Sequence, residues 1–175
     1  VAVQAAGRKN ITVINCNITN YDTAVYFSLT NYSVIRNVSM SDANDRALWL
    51  TSSANNTITN VTITGSTNEN IYSFKSSMNS FSSCKISSSF SSDGISLRTG
   101  SNRNTIFNCT LSTHSLNGLY VLTSNYNNIT DSVVKSNTQD GLVFSSSNNS
   151  YVLRNNITAN CSDVMEALQC PAGRC

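Results

Sequence analysis

Apolar residues recur in this chain at a fixed long interval, and that recurrence restricts the fold more than any other feature. Val13, Ile35, Ile58, Phe81, Ile106, Ile129 and Val152 each follow a cluster of Asn, Ser or Thr, at spacings of 22, 23, 23, 25, 23 and 23 residues. Five residues after each stand Ile18, Met40, Ile63, Ile86, Leu111, Val134 and Ile157. A third column reads Val25, Leu48, Ile71, Ile95, Leu119, Leu142 and Met165, and a fourth Phe27, Leu50, Ser73, Leu97, Val121, Phe144 and Ala167. Such periods mark solenoids and related arrays. A coil of this length is too short for a strand–helix–strand crossover, which takes about 30 residues or more. Within each coil the rhythm is alternation, as in Leu48-Trp49-Leu50 and Ile95-Ser96-Leu97, which implies strands with one buried face. A β-sandwich requires neither equal spacing nor a like residue at the same place in every unit. A stack requires both. The expected fold is all-β: a right-handed parallel β-helix (β-solenoid) of about seven 22–25-residue coils, about 34 Å long at one strand spacing per coil.

The repeat resolves what composition leaves open. Charged residues make up 11% of the 175, the formal net charge is +2, and 39% are hydrophobic. Disorder pairs low hydrophobicity with high net charge, so this sparing apolar content, placed in columns, reads as a narrow core. Charges are thin and unclustered, which argues against nucleic acid as a partner. No apolar run of membrane-spanning length occurs. One histidine, His114, and three methionines make no ligand cluster, so no cofactor or metal is expected.

Six cysteines fit an oxidising compartment, hence a secreted, extracellular or cell-surface location. The start at Val1-Ala2-Val3, without Met, reads as a processed or excised chain whose first residues fall in the third column. Residues 1–160 are expected to form the β-helix and 161–175 a Cys-rich cap or clasp. In that tail Cys161, Cys170 and Cys175 lie close together with no His nearby, favouring disulfides over zinc. Asp163-Val164-Met165-Glu166 reads as a helix capping box with Pro171 as a stop. Cys84 and Cys109 fall at one position on adjacent coils. Their Cα atoms should lie about 5 Å apart, within disulfide range; a pair of buried thiols is the alternative.

Two residues after the first column stand Asn15, Asn37, Asn60, Ser83, Asn108, Asp131 and Arg154, expected to form a buried ladder of stacked amides. The glycosylation sequons sort by this placement. Asn10, Asn17, Asn31, Asn55, Asn128, Asn148, Asn156 and Asn160 are expected to be exposed acceptors, while burial should block Asn37, Asn60 and Asn108.

Ser53-Ala54-Asn55-Asn56-Thr57-Ile58-Thr59-Asn60, Asp93-Gly94-Ile95-Ser96-Leu97, Asn127-Asn128-Ile129 and Ser147-Asn148-Asn149 resemble the coils of the parallel β-helix repeat family, NosD-like and pectate-lyase-like. The resemblance spans nearly the whole chain and implies the fold. Function it implies only loosely, since such coils carry lyases, hydrolases, adhesins and surface-layer proteins. The Asn-Thr-Asp, Gly-His-Gly and Arg-Ile-Lys motifs of the hydrolases are missing. Asp93 and Asp140 share a column but each precedes Gly, which is ordinary turn chemistry.

Arg98 and Arg103, with Lys75 and Lys85 one coil away, are candidate contacts for an acidic sugar or a solvated face. Trp49 and Tyr72, on neighbouring coils, are candidate sugar-stacking rings or cross-coil packing. These readings add up to a non-enzymatic, glycosylated structural protein of a surface filament or layer. It would self-associate head to tail as a homopolymer, or bind other surface proteins or glycans. A polysaccharide-active enzyme or carbohydrate-binding module of the pectate-lyase-like class is the alternative.

Overall fold

A computed structural model describes residues 1–135 and 137–158. The expected cap at 161–175, with Cys161, Cys170, Cys175 and the capping box, and the sequon at Asn160, lie outside the described residues.

Every described element is a strand, and the strands form three parallel seven-stranded sheets. Sheet 1 takes Val3–Ala6, Thr23–Ser28, Arg46–Thr51, Ile71–Phe74, Ile95–Arg98, Leu119–Leu122 and Leu142–Ser145. Sheet 2 takes Thr12–Ile14, Val34–Arg36, Thr57–Thr59, Ser80–Ser82, Thr105–Phe107, Asn128–Thr130 and Tyr151–Leu153. Sheet 3 takes Asn17–Thr19, Ser39–Ser41, Thr62–Ser66, Lys85–Ser89, Thr110–Ser112, Val133–Lys135 and Asn156–Ile157. The chain visits the three sheets in turn, so each passage is one coil, numbered 1 to 7 from the Val3 strand.

Register follows the sequence columns. Ile35 pairs with Ile58, Phe81 with Ile106, and Ile129 with Val152. Leu48 pairs with Ile71, and Ile71 with Ile95. Ile58, Phe81, Ile63, Leu97 and Leu119 are fully buried. The polar exception in the fourth column, Ser73, is buried as well; its hydroxyl reaches the Ser76 carbonyl and the Ser101 hydroxyl, both at 3.4 Å.

A coil must bend between sheets, and the bend uses left-handed backbone. Asn15, Asn37, Asn60, Ser83 and Asn108 take φ between 51 and 54°. Asn tolerates this region better than most residues. Here the sequence-based expectation needs correcting. These residues are exposed, not buried, and the Nδ2 of Asn60 donates to Oδ1 of Asn37 at 2.8 Å on the surface. The sequons at Asn37, Asn60 and Asn108 are therefore not blocked by burial.

The buried ladders stand elsewhere, at the corner between sheets 1 and 2. The amides of Ser33, Asn56, Asn79 and Asn104 each donate to Oδ1 of Asn56, Asn79, Asn104 and Asn127 on the next coil, all at 2.9 Å. Beside them Ser53, Ser76, Ser101, Ser124 and Ser147 accept backbone amides of the preceding coil through Oγ at 3.0 to 3.2 Å. Side chains thus replace carbonyls where the corner breaks the sheet ladder, and these backbone amides keep an acceptor although buried.

Cys84 and Cys109 stack as predicted but are free thiols. Each points at a carbonyl of its own corner, Ser82 and Phe107, at 3.3 Å. The hydrogen bond between the two thiols lowers the Cys84 pKa, with burial opposing, and raises that of Cys109, with burial adding.

The Asp-Gly and Asn-Gly pairs also differ from their reading as turns. A Cβ on Gly94 would collide with the His114 imidazole and the Gly118 carbonyl, so the glycine is there to let coils approach. His114 is buried, with Nδ1 3.1 Å from the Ser89 hydroxyl and Nε2 without a partner.

Asn79→Leu strands the Asn56 amide and the Ser53 carbonyl and should cost about 3 kcal/mol in urea unfolding. Asn60→Gly, which keeps the left-handed corner but deletes a surface amide, should change stability by less than about 0.5 kcal/mol. Burial holds the His114 pKa down to about 4 from its ordinary 6.5. The folded state thus prefers neutral His114, a contribution fully present above pH 6.5 and lost as pH falls towards 4. It amounts to about 3 kcal/mol. Chemical denaturation from pH 7 to 4 should show that loss, and His114→Asn should remove most of it.

Candidate functional site

Sheet 1 presents a column of side chains outward between its two buried columns: Gln4, Tyr26, Trp49, Tyr72, Ser96, Tyr120 and Val143, in register from coil to coil. Tyr26 and Trp49 stack with centroids 4.8 Å apart and a 41° tilt; Trp49 and Tyr72 meet edge to face at 6.1 Å. Ser96 leaves a gap between Tyr72 and Tyr120, and Arg98 fills it. Its Nε donates to the Ser96 hydroxyl at 2.8 Å. Its guanidinium carbon lies 5.0 Å from the Tyr120 ring centre and 6.0 Å from that of Tyr72. Arg46 covers the other side, 4.9 Å from Trp49 and 4.5 Å from Tyr72. Rings and guanidinium groups therefore form an unbroken band over five coils, with cation–π attraction along it.

The starts of the third, fourth and fifth sheet 1 strands add charge. Arg46, Glu69 and Asp93 each stand two residues before the buried Leu48, Ile71 and Ile95. Glu69 bridges the arginines: Oε2 accepts from Arg46 Nε at 2.9 Å, and Oε1 lies 3.8 Å from Arg98 Nη2. Arg46 also holds Asp45 at 3.0 Å. Asp93 Oδ1 accepts from the Asn117 side chain at 2.9 Å and from its backbone amide at 3.2 Å. Asp93 Oδ2 is 3.4 Å from the Ser96 hydroxyl and 3.5 Å from Arg98 Nη2. Burial raises the Asp93 pKa, and the Glu69 charge adds to it. The Asn117 hydrogen bonds and the Arg98 charge pull the other way.

Of the residues singled out in the sequence, Arg98, Trp49 and Tyr72 come together on this face. Arg103 does not join them. It sits at the corner between sheets 1 and 2 and stacks on Tyr126 at 5.3 Å. Lys75 lies over Phe74 at 5.2 Å, and Lys85 is on sheet 3, so the supposed basic cluster is spread over three faces. The sequence reading missed Arg46 and Glu69 as partners and took Asp93 for turn chemistry. One signal was available: Arg46, Glu69 and Asp93 occupy one column, a base followed by two acids. Of the sequon residues, Asn10, Asn17, Asn148 and Asn156 are exposed, and Asn31, Asn55 and Asn128 are half-buried. No cluster of three metal-ligating side chains exists among the described residues.

Residues 1–157 match the right-handed beta helix region family, and the chain belongs to that family. No curated protein sequence matches it at a significant level. Among solved structures it is similar to the Azotobacter vinelandii mannuronan C-5 epimerase AlgE6 A-module, at 12% identity and TM-score 0.70 over 84% of this chain and 41% of that one. It is also similar to a point mutant of the periplasmic alginate epimerase AlgG, at 11% identity and TM-score 0.65 over 89% and 47%. Pectate lyase Pel9A matches at 16% identity and TM-score 0.60 over 76% and 38%. The chain thus spans less than half the length of each, and the likeness is one of fold. The expectation that such a coil stack is non-enzymatic is corrected by these neighbours, which are carbohydrate-active enzymes built on the same fold. The physical reason the sequence suggested otherwise is that the charged groups of the sheet 1 face are spread about one per coil. No local motif gathers them.

Glu69→Gln removes the carboxylate shared by Arg46 and Arg98 and should cost about 2 kcal/mol in thermal or urea unfolding. Asp131→Asn, in the exposed pair with Arg154, should leave the same curve unchanged.

Proposed function

We propose that this solenoid recognises a uronate-bearing polysaccharide along the outward face of sheet 1, as part of a polysaccharide-modifying protein of the cell exterior or periplasm. The observation that carries the reading is the Arg98 guanidinium seated in the Ser96 gap of the aromatic column. Aromatic faces take up the C–H faces of sugar rings, and guanidinium forks suit carboxylates. The band runs along the coil axis, so an extended glycan would lie lengthwise on it. Arg46 opens its sheet 1 strand and Arg98 closes the one two coils on, so the band carries a guanidinium group at each of two levels of the stack. The mannuronan, alginate and pectate named for the neighbouring enzymes are all uronate polymers, which supports the same class.

The test is a panel of oligomannuronate, oligogalacturonate and neutral cello-oligosaccharide, read by calorimetry for binding and by mass spectrometry for product. A uronate oligomer should bind and the neutral one should not. Trp49→Ala and Arg98→Ala should each weaken binding by about tenfold. Equal binding of the neutral oligomer, or none of any, overturns the reading.

A further inference from the structure

The charge balance of the sheet 1 face raises a difficulty for any anionic ligand. Two guanidinium groups, Arg46 and Arg98, are set among three carboxyl groups: Asp45, Glu69 and Asp93. A fourth carboxylate cannot enter without repulsion unless charge is rearranged.

The two arginines are not equally held. Arg46 is pinned by contacts of 2.9 and 3.0 Å to Glu69 and Asp45. Arg98 has only looser ion pairs, 3.5 Å to Asp93 and 3.8 Å to Glu69, and is partly exposed. Its one short bond goes to a neutral hydroxyl, that of Ser96. Arg98 is therefore the group free to turn outward to a ligand. Its departure would leave Asp93 buried, with Asn117 and Ser96 as hydrogen-bond partners and no cation. A carboxylate in that position favours its protonated form.

We propose that Arg98 exchanges its carboxylate partner from Asp93 to the glycan, and that Asp93 takes up a proton as it does so, coupling uronate binding to protonation. The inference rests on the function proposed above and adds its regulation by pH. The groups facing Asp93 fit this assignment. Arg98 and Glu69 act on it directly. Glu69 keeps Arg46 as its cation. Asn117, next in the column, is neutral, and Asp140 lies one coil beyond. On the inner side the His114 ring packs against Gly94, and its pKa of about 4 leaves it uncharged near neutrality. Burial already places the Asp93 pKa above the usual aspartate value; the Asn117 hydrogen bonds oppose that rise most, and the Arg98 charge, the one opposing influence that can leave with the side chain, adds to them. The balance of the step is one proton taken from solvent onto an Asp93 carboxyl oxygen; no covalent bond to carbon changes.

The sign follows from linkage. The complex binds the proton more tightly than the free protein does, so affinity rises as pH falls, by at most about tenfold per pH unit above the free-state Asp93 pKa. The experiment is isothermal titration with mannuronate and galacturonate hexasaccharides, in buffers of differing ionisation enthalpy and over a pH series. The expected result is net proton uptake in wild type. In Asp93→Asn the uptake should vanish, the affinity should become insensitive to pH, and binding at pH 7 should be tighter than in wild type. In a second arm without ligand, a carbon-detected NMR titration of Asp93 should show a higher pKa in Arg98→Gln than in wild type. If the hexasaccharides bind without proton uptake, or Arg98→Gln leaves the Asp93 titration unmoved, the coupling is wrong and the binding site stands. If neither hexasaccharide binds, the site and the coupling both fall.

Discussion

Every coil of this protein must turn three corners without leaving a buried amide unpaired, and the rest of the structure depends on how those corners are satisfied. Within a sheet the next coil supplies the carbonyls. Between sheets 1 and 2 the backbone ladder is interrupted, and Asn56, Asn79, Asn104 and Asn127 supply side-chain oxygens instead. Because each ladder member accepts from one coil while donating to another, a coil lacking its Asn or Ser would disturb its neighbours too. This is why a chain so rich in Asn, Ser and Thr can form a dry interior. Much of that polarity serves the backbone.

The same stacking rule builds the face of sheet 1. In-register coils put the outward side chain of one strand directly over that of the next, so residues about 23 apart in sequence become neighbours. Rings pile on rings, and opposite charges from successive coils meet, Arg46 with Glu69 and Glu69 with Arg98, while Arg98 also meets Asp93 of its own coil. The face is structurally conservative and chemically adjustable. Replacing one ring by Ser96 changes no backbone contact, yet it opens a seat for a guanidinium.

Burial gives the ionisable groups of this region unlike tasks. His114, sealed against Gly94, is held neutral and makes the fold sensitive to acid. Asp93, at the edge of the same coil, is buried too but keeps Arg98 within reach. An inner group without a countercharge weighs on stability, whereas one with a displaceable partner can respond to a ligand.

The sequence by itself determined the architecture. The columns headed by Ile35 and Leu48 name the strands, their parallel order and their register, because a stack repeats the same burial at the same place in every coil. It also placed Trp49 and Tyr72 side by side. It did not distinguish the exposed Asn15–Asn37–Asn60 corner from the buried Asn56–Asn79–Asn104 ladder, because both are columns of the same residue type. Only the direction in which each corner bends decides which side faces in. Nor did it separate Arg98 from Arg103, five residues apart in the chain. The turn out of sheet 1 sends one across the aromatic band and the other to Tyr126. The tertiary structure alone decided these matters, since side-chain direction at a corner is fixed by left-handed backbone and by the coils above and below, not by spacing along the chain.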